Sequence, residues 1–144
     1  MASGARTTHL LPRTATYALR VAACLAALDA DRWTPSSELS RRTQVPSAYA
    51  SKVLRQLVDA GIVEARKGWH GGYRLASPPE LIRVEDLLAA VGEPLEATHC
   101  VFGIGACNSE DPCPLHGVWS RFKEGAQRWA RESTLADVGP CPPD

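Results

Sequence analysis

Apolar residues return every three or four positions between Arg13 and Ala30, with Tyr17, Val21, Cys24, Leu25 and Leu28 on one stripe. That spacing predicts an amphipathic helix with the stripe buried. Thr34-Pro35 supplies a capping side chain followed by a proline suited to a first helical position, so a short second helix is expected over Pro35–Arg42, with Leu39 inward. A turn is expected over Thr43–Pro46, then a third helix over Ser47–Ala60 with Tyr49, Val53, Leu54, Leu57 and Val58 inward and Gly61 closing it in a left-handed conformation. The period then shortens. Ile62–Ala65 reads as a strand, Arg66–Gly72 as a glycine-rich turn and Tyr73–Ala76 as the returning strand, together a β-hairpin with a basic tip. Ser77-Pro78-Pro79 breaks the chain, and a short helix is expected over Val84–Val91, stopped by Gly92 and Pro94.

From Glu96 to Pro112 there is no periodicity, and a structureless stretch of that length in a small protein is usually functional. Periodicity resumes beyond Cys113, where Leu115, Val118, Trp119, Phe122, Ala126 and Trp129 share one helical face up to Glu132. The expected organisation is a flexible arm (1–12), a globular domain (13–94), a cysteine-bearing loop (95–113), one long C-terminal helix (114–138) and a disordered tail (139–144). The fold class is mainly α with a small β-hairpin.

A chain of 144 residues supports one modest core. Its zero net charge hides a division: the first 75 residues hold eleven Lys and Arg against five acids, a surplus of six positive charges, and the remainder holds the matching surplus of acids. A basic half suits phosphate binding, because neutralised phosphates release counterions. The longest apolar run, Val21–Leu28, is far too short for a membrane span, and Met1–Pro12 lacks a signal-peptide core. A cytoplasmic protein without a membrane partner is expected. No paired carboxylates, Ser/His/Asp set or phosphate loop is present to suggest an enzyme.

Three helices followed by a glycine-tipped hairpin is the layout of a winged helix-turn-helix. In that layout the third helix turns its N-terminal outward face to DNA, which selects Ser47, Ser51, Lys52 and Arg55, with small Ala48 allowing close approach. Tyr49 lies in the same first turn and is also a candidate contact. The hairpin offers Arg66, Lys67, Trp69 and His70 to the backbone or a minor groove. Arg41 and Arg42 read as a solvated face. Large apolar residues on the last helix, outside a small core, call for a partner surface, and a two-fold dimer would require a near-palindromic double-stranded operator.

Five cysteines without a secretion signal point to metal or redox chemistry. Cys100, Cys107 and Cys113 sit on glycine-bearing backbone with His116 three residues beyond. Such donors suit an iron–sulfur cluster, tetrahedral zinc or free redox thiols, and residue chemistry leaves these three open. Cys24 reads as a core residue and Cys141 as a non-ligand in the tail.

The run SAYASKVLRQLVDAGIVEARKGWHGGYRLASPPELIRVEDLLAAVGEP, with its wing ending Gly71-Gly72-Tyr73-Arg74-Leu75-Ala76 and followed by Pro78-Pro79, resembles the DNA-binding core of bacterial IscR/NsrR-type winged-helix regulators. The likeness continues through the cysteine loop into CPLHGVWSRF and covers Thr14 to Val138. It implies a homodimeric transcriptional regulator, a repressor, whose last long helix crosses its partner's. It also implies a two-iron or four-iron cluster on Cys100, Cys107 and Cys113, sensing iron, nitric oxide or redox state. His116 stands where the cluster-assembly members of that group have a histidine ligand. The nitric-oxide sensors can use an acidic residue from the first helix of the partner subunit instead, but here Thr16 is near that place and no Asp or Glu precedes Asp29. A cluster-free regulator of the same fold, responding to thiol oxidation or a small molecule, is the alternative.

Overall fold

The computed structural model describes residues 11–95, 101 and 110–139. Along them run α1 (Arg13–Ala27), α2 (Ser36–Thr43), α3 (Ser47–Asp59), the strands β1 (Val63–Arg66) and β2 (Gly72–Leu75), a 3-10 turn at Pro79–Leu81, α4 (Val84–Ala90), α5 (His116–Glu132) and α6 (Leu135–Val138). Among the described residues no helix is long and apolar enough to cross a membrane.

The first helix is central because it is narrow. Ala15, Ala18, Ala22 and Ala23 are buried beside Val21, Cys24 and Leu25, and these small side chains let α2, α3, α4 and α6 all pack against α1. The main core joins Val21 and Leu25 to Leu39 of α2, to Val53, Leu54 and Leu57 of α3, and to Val63, Ile82 and Leu87. The helix ends three residues before the expected Ala30, because Leu28 turns extended (ψ 161°) while its N–H still reaches the Leu25 carbonyl.

Thr34 corrects a second expectation. It does not cap α2. Its backbone pairs in both directions with β2, Thr34 N–H to the Tyr73 carbonyl at 3.0 Å and Tyr73 N–H to the Thr34 carbonyl at 2.8 Å. Extended backbone at Thr34 moves the cap position to Pro35, and α2 starts at Ser36. At the other end of the motif, Gly61 (φ 78°) closes α3 as expected. The Gly61 N–H reaches Val58 and the Ile62 N–H reaches Leu57, the paired bonds of a Schellman cap. The Ile62 N–H goes to that cap while its carbonyl accepts from the Ala76 N–H at 2.9 Å, and β1 begins one residue late, at Val63.

The hairpin is antiparallel, with Val63 opposite Leu75, Glu64 opposite Arg74, Ala65 opposite Tyr73 and Arg66 opposite Gly72. The last pair explains Gly72. Its φ is 146°, and a Cβ there would lie 2.5 Å from both the carbon and the oxygen of the Thr34 carbonyl. The obstacle is backbone that is itself fixed by the Tyr73 pairing. Gly72→Ala is therefore expected to cost about 2–4 kcal/mol in a urea titration. Gly68→Ala, at φ 94° with open space around its Cβ, should cost about 1 kcal/mol.

The C-terminal segment folds back onto this unit. Val84 N–H bonds the Ser133 carbonyl (3.0 Å) and Leu135 N–H bonds the Ile82 carbonyl (2.9 Å). Thr134 and Asp137 form a reciprocal capping box that starts α6, placing Leu135 in the core. Segment 114–138 thus carries α5, an extended link and α6. A second, smaller cluster of Ala15, Val84, Leu88 and Ala130 seats the C-terminal half of α5 on α1 and α4.

Candidate nucleic-acid interface and cysteine segment

α2 and α3 meet through a tight corner in which Gln44 is left-handed (φ 56°) and the Ser40 hydroxyl donates to the Val45 carbonyl at 2.6 Å. With Ala50, Val53, Leu54 and Leu57 buried, the opposite face of α3 must be outward. Ser47, Ala48, Ser51, Lys52 and Arg55 are all exposed there. The face combines small side chains, which permit close approach, with two cations beyond the first turn. The first turn holds no acidic residue and no side-chain cap, which leaves its N–H groups suited to a phosphate. Tyr49 divides its ring between the two expectations: it is 39% exposed, and it packs edge-on against Tyr17 of α1 at 5.4 Å.

At the hairpin, Lys67, Trp69 and His70 are exposed, with Trp69 at 90%. Trp69 and His70 meet edge to face at 6.1 Å, and His70 takes a left-handed backbone (φ 66°). Arg66 is exposed too, but it is held: it donates to the His70 carbonyl at 2.6 Å and lies over the Trp33 ring, 4.7 Å from its centroid. Sequence reasoning passed over Trp33, whose only signal was a large ring just before the Thr34-Pro35 corner.

Other cations of the basic half are engaged elsewhere. Arg32 and Arg42 both bind Glu38, at 2.6 and 2.8 Å. Burial pushes the Glu38 carboxyl up, but hydrogen bonds and charge from Arg42 and Arg32 outweigh it and hold the group below its ordinary value. Arg74 binds Glu64 at 2.9 Å.

Of the four residues expected to hold a metal centre, Cys100 and Cys107 lie outside the described residues. Cys113 is exposed, with a free thiol. His116 is half-buried and is the first residue of α5. The two are joined by a backbone bond from the His116 N–H to the Cys113 carbonyl at 3.0 Å, so a thiol and an imidazole share the turn that opens α5. Cys24 is buried on α1, as expected for a core residue.

A helix-turn-helix backed by α1 and flanked by a basic hairpin defines a winged-helix DNA-binding protein. The family of iron-dependent transcriptional regulators called Rrf2 matches residues 11–140. The chain belongs to that family, which is one of transcriptional regulators and not of enzymes. It is 31% identical to the HTH-type transcriptional regulator IscR of Cereibacter sphaeroides over 113 residues, covering 74% of this chain and 73% of that protein. In fold it is similar to CymR, the global cysteine regulator of B. subtilis, with a TM-score of 0.75 at 19% identity, covering 91% of this chain and 96% of that one. IscR of T. potens superposes with a TM-score of 0.69 at 21% identity over 94% of this chain and 88% of that one.

Proposed function

We propose that this regulator is a cytoplasmic homodimeric repressor whose grip on a near-palindromic operator is switched by an iron–sulfur cluster on Cys100, Cys107, Cys113 and His116, sensing iron, nitric oxide or redox state. Three thiolates and an imidazole form a soft donor set that fits such a group. Bound there, it would supply a centre that changes with iron supply, oxidation or nitrosylation.

The observation that carries this reading is the location of Cys113 and His116 at the head of α5. The far end of the same helix is fastened to the DNA-binding unit. Arg83 donates to the Arg131 carbonyl at 3.1 Å, Gln127 donates to the Leu95 carbonyl at 2.9 Å, and Ala130 packs with Ala15 and Val84. A change of restraint at the head of α5 therefore bears on α4 and α1, and α1 is the floor under α3. The family description, iron-dependent, and the likeness to IscR support the same reading.

The test is anaerobic purification followed by iron and sulfide analysis. The proposal expects brown protein with iron and sulfide in comparable amounts; a colourless protein holding one zinc would overturn it. A second reading, a cluster-free regulator acting through thiols, draws on the exposure of Cys113 and on the fold shared with CymR. It predicts colourless protein without metal.

DNA contact is assigned to Ser47, Tyr49, Ser51, Lys52 and Arg55 of α3 and to Arg66, Lys67, Trp69 and His70 of the hairpin. Arg55→Ala is expected to weaken a preferred duplex by about tenfold and to relax base preference. Fluorescence anisotropy against preferred and scrambled duplexes checks both.

A further inference from the structure

We propose that Trp33 is a positioning residue for DNA binding: its indole, stacked with Arg66 and Arg74, sets the angle of the hairpin relative to α2 and α3. The proposal rests on the reading of the hairpin tip as a DNA contact, and goes beyond it by naming what aims the tip.

Trp33 occupies the joint between the two parts. It directly precedes Thr34, whose backbone is paired to Tyr73 of β2, and α2 begins two residues after Thr34. The hairpin register puts Glu64 opposite Arg74, and Arg66, two residues along from Glu64, points to the same face. Both guanidinium groups of that face reach the ring, Arg74 at 4.3 Å and Arg66 at 4.7 Å from its centroid. Arg66 stands opposite Gly72, the residue whose missing side chain admits the Thr34 carbonyl. The strand pairing that brings in Thr34 and the stacking that holds Trp33 are therefore one arrangement.

Two guanidinium groups on one ring repel each other unless something offsets their charge. Here the ring's negative face attracts both, and Glu64 bonds Arg74 at 2.9 Å. Arg66, in the ladder pair next to the turn, also donates to the His70 carbonyl at 2.6 Å, which ties the stacked pair to the tip. The tip itself projects into solvent, with Trp69 90% exposed. Its direction is thus set where the ladder meets the turn. Without the indole, the hairpin keeps its own ladder and the Thr34–Tyr73 pair but can swing about that pair.

The experiment uses the full-length protein and the duplex that it enriches from a random pool. Trp33→Ala, Trp33→Phe and Lys67→Ala are compared, together with the double variant Trp33→Ala/Lys67→Ala. Trp33→Ala is expected to lose about fivefold in affinity, and its log–log salt slope should fall by about one, as though the Lys67 phosphate contact were gone. Lys67→Ala should then cost nothing further in the Trp33→Ala background. Trp33→Phe, which keeps a ring under the cations, should stay within about twofold of wild type. If Trp33→Ala does not fold, Arg74→Met supplies the same comparison by removing one stacked cation while keeping its stem, with a loss of about twofold. Should Lys67→Ala weaken binding equally with and without Trp33, the tip contact stands and Trp33 is not its support. Should Lys67→Ala have no effect in the wild-type chain, the hairpin contact fails and the proposal fails with it.

Discussion

Phe122→Asp is expected to turn the protein into a monomer and to lower operator affinity by about a hundredfold. Within the chain, α5 buries Lys123 and Ala130, and Trp119 and Ala126 of its apolar stripe are half-buried, while the rest of that stripe is exposed. Val118 is 65% exposed, Phe122 50%, Leu115 48% and Trp129 41%. Residues 115, 118, 122, 125 and 129 alternate by three and four positions, the spacing of a helix–helix seam. Gly125 within that row has open space at its Cβ, which would let a second helix cross closely. Trp119 stacks on Phe122 at 5.4 Å and 19°, so the ring at the middle of the seam is already braced. A carboxylate at 122 would have to be buried unpaired, and the seam would open. The affinity loss follows because one half-site contact no longer raises the effective concentration of the other. Sedimentation velocity and anisotropy on the same samples check both parts. A Phe122→Asp protein that sediments as a dimer and binds like wild type would mean that α5 is not the dimer seam.

Cys107→Ala is the second large effect. If the proposed centre is held by three thiolates, removing one of them is expected to abolish retention of iron and sulfide under anaerobic purification and to bleach the visible absorption. Cys24→Ala, which alters a buried thiol on α1, should leave both unchanged while lowering stability by about 1 kcal/mol. Equal iron in both variants would remove Cys107 from the ligand set. His116→Ala separates two uses of that residue: a ligand role predicts altered absorption, whereas a role only in opening α5 predicts unaltered absorption with reduced helix stability.

Much of this architecture was legible because it is written in local periodicity. The stripes of α1 and α3, the Gly61 cap and the glycine-tipped hairpin each follow from residues within a few positions of one another. Most of what escaped depends on contacts distant in sequence. The pairing of Thr34 with Tyr73 overrode a good local capping signal at Thr34-Pro35. The same contact made sense of Gly72 and brought Trp33 to Arg66 and Arg74. The Thr134 to Asp137 capping box was a readable local signal that the helical period of the preceding segment obscured. In the candidate site, the outward face of α3 could be read from its buried face alone. By contrast, a ligand set drawn from Cys100, Cys107, Cys113 and His116 has no period to reveal it. Its support in the sequence is donor chemistry and resemblance.

The most direct test of the central claim is operator affinity measured on one anaerobic preparation, before and after the iron and sulfide are stripped. The account predicts that the two forms differ by at least about tenfold, a shift within the usual range for coupled sites, and that the difference disappears in Cys107→Ala. Equal affinity of the loaded and stripped forms, with both still dimeric, would contradict it.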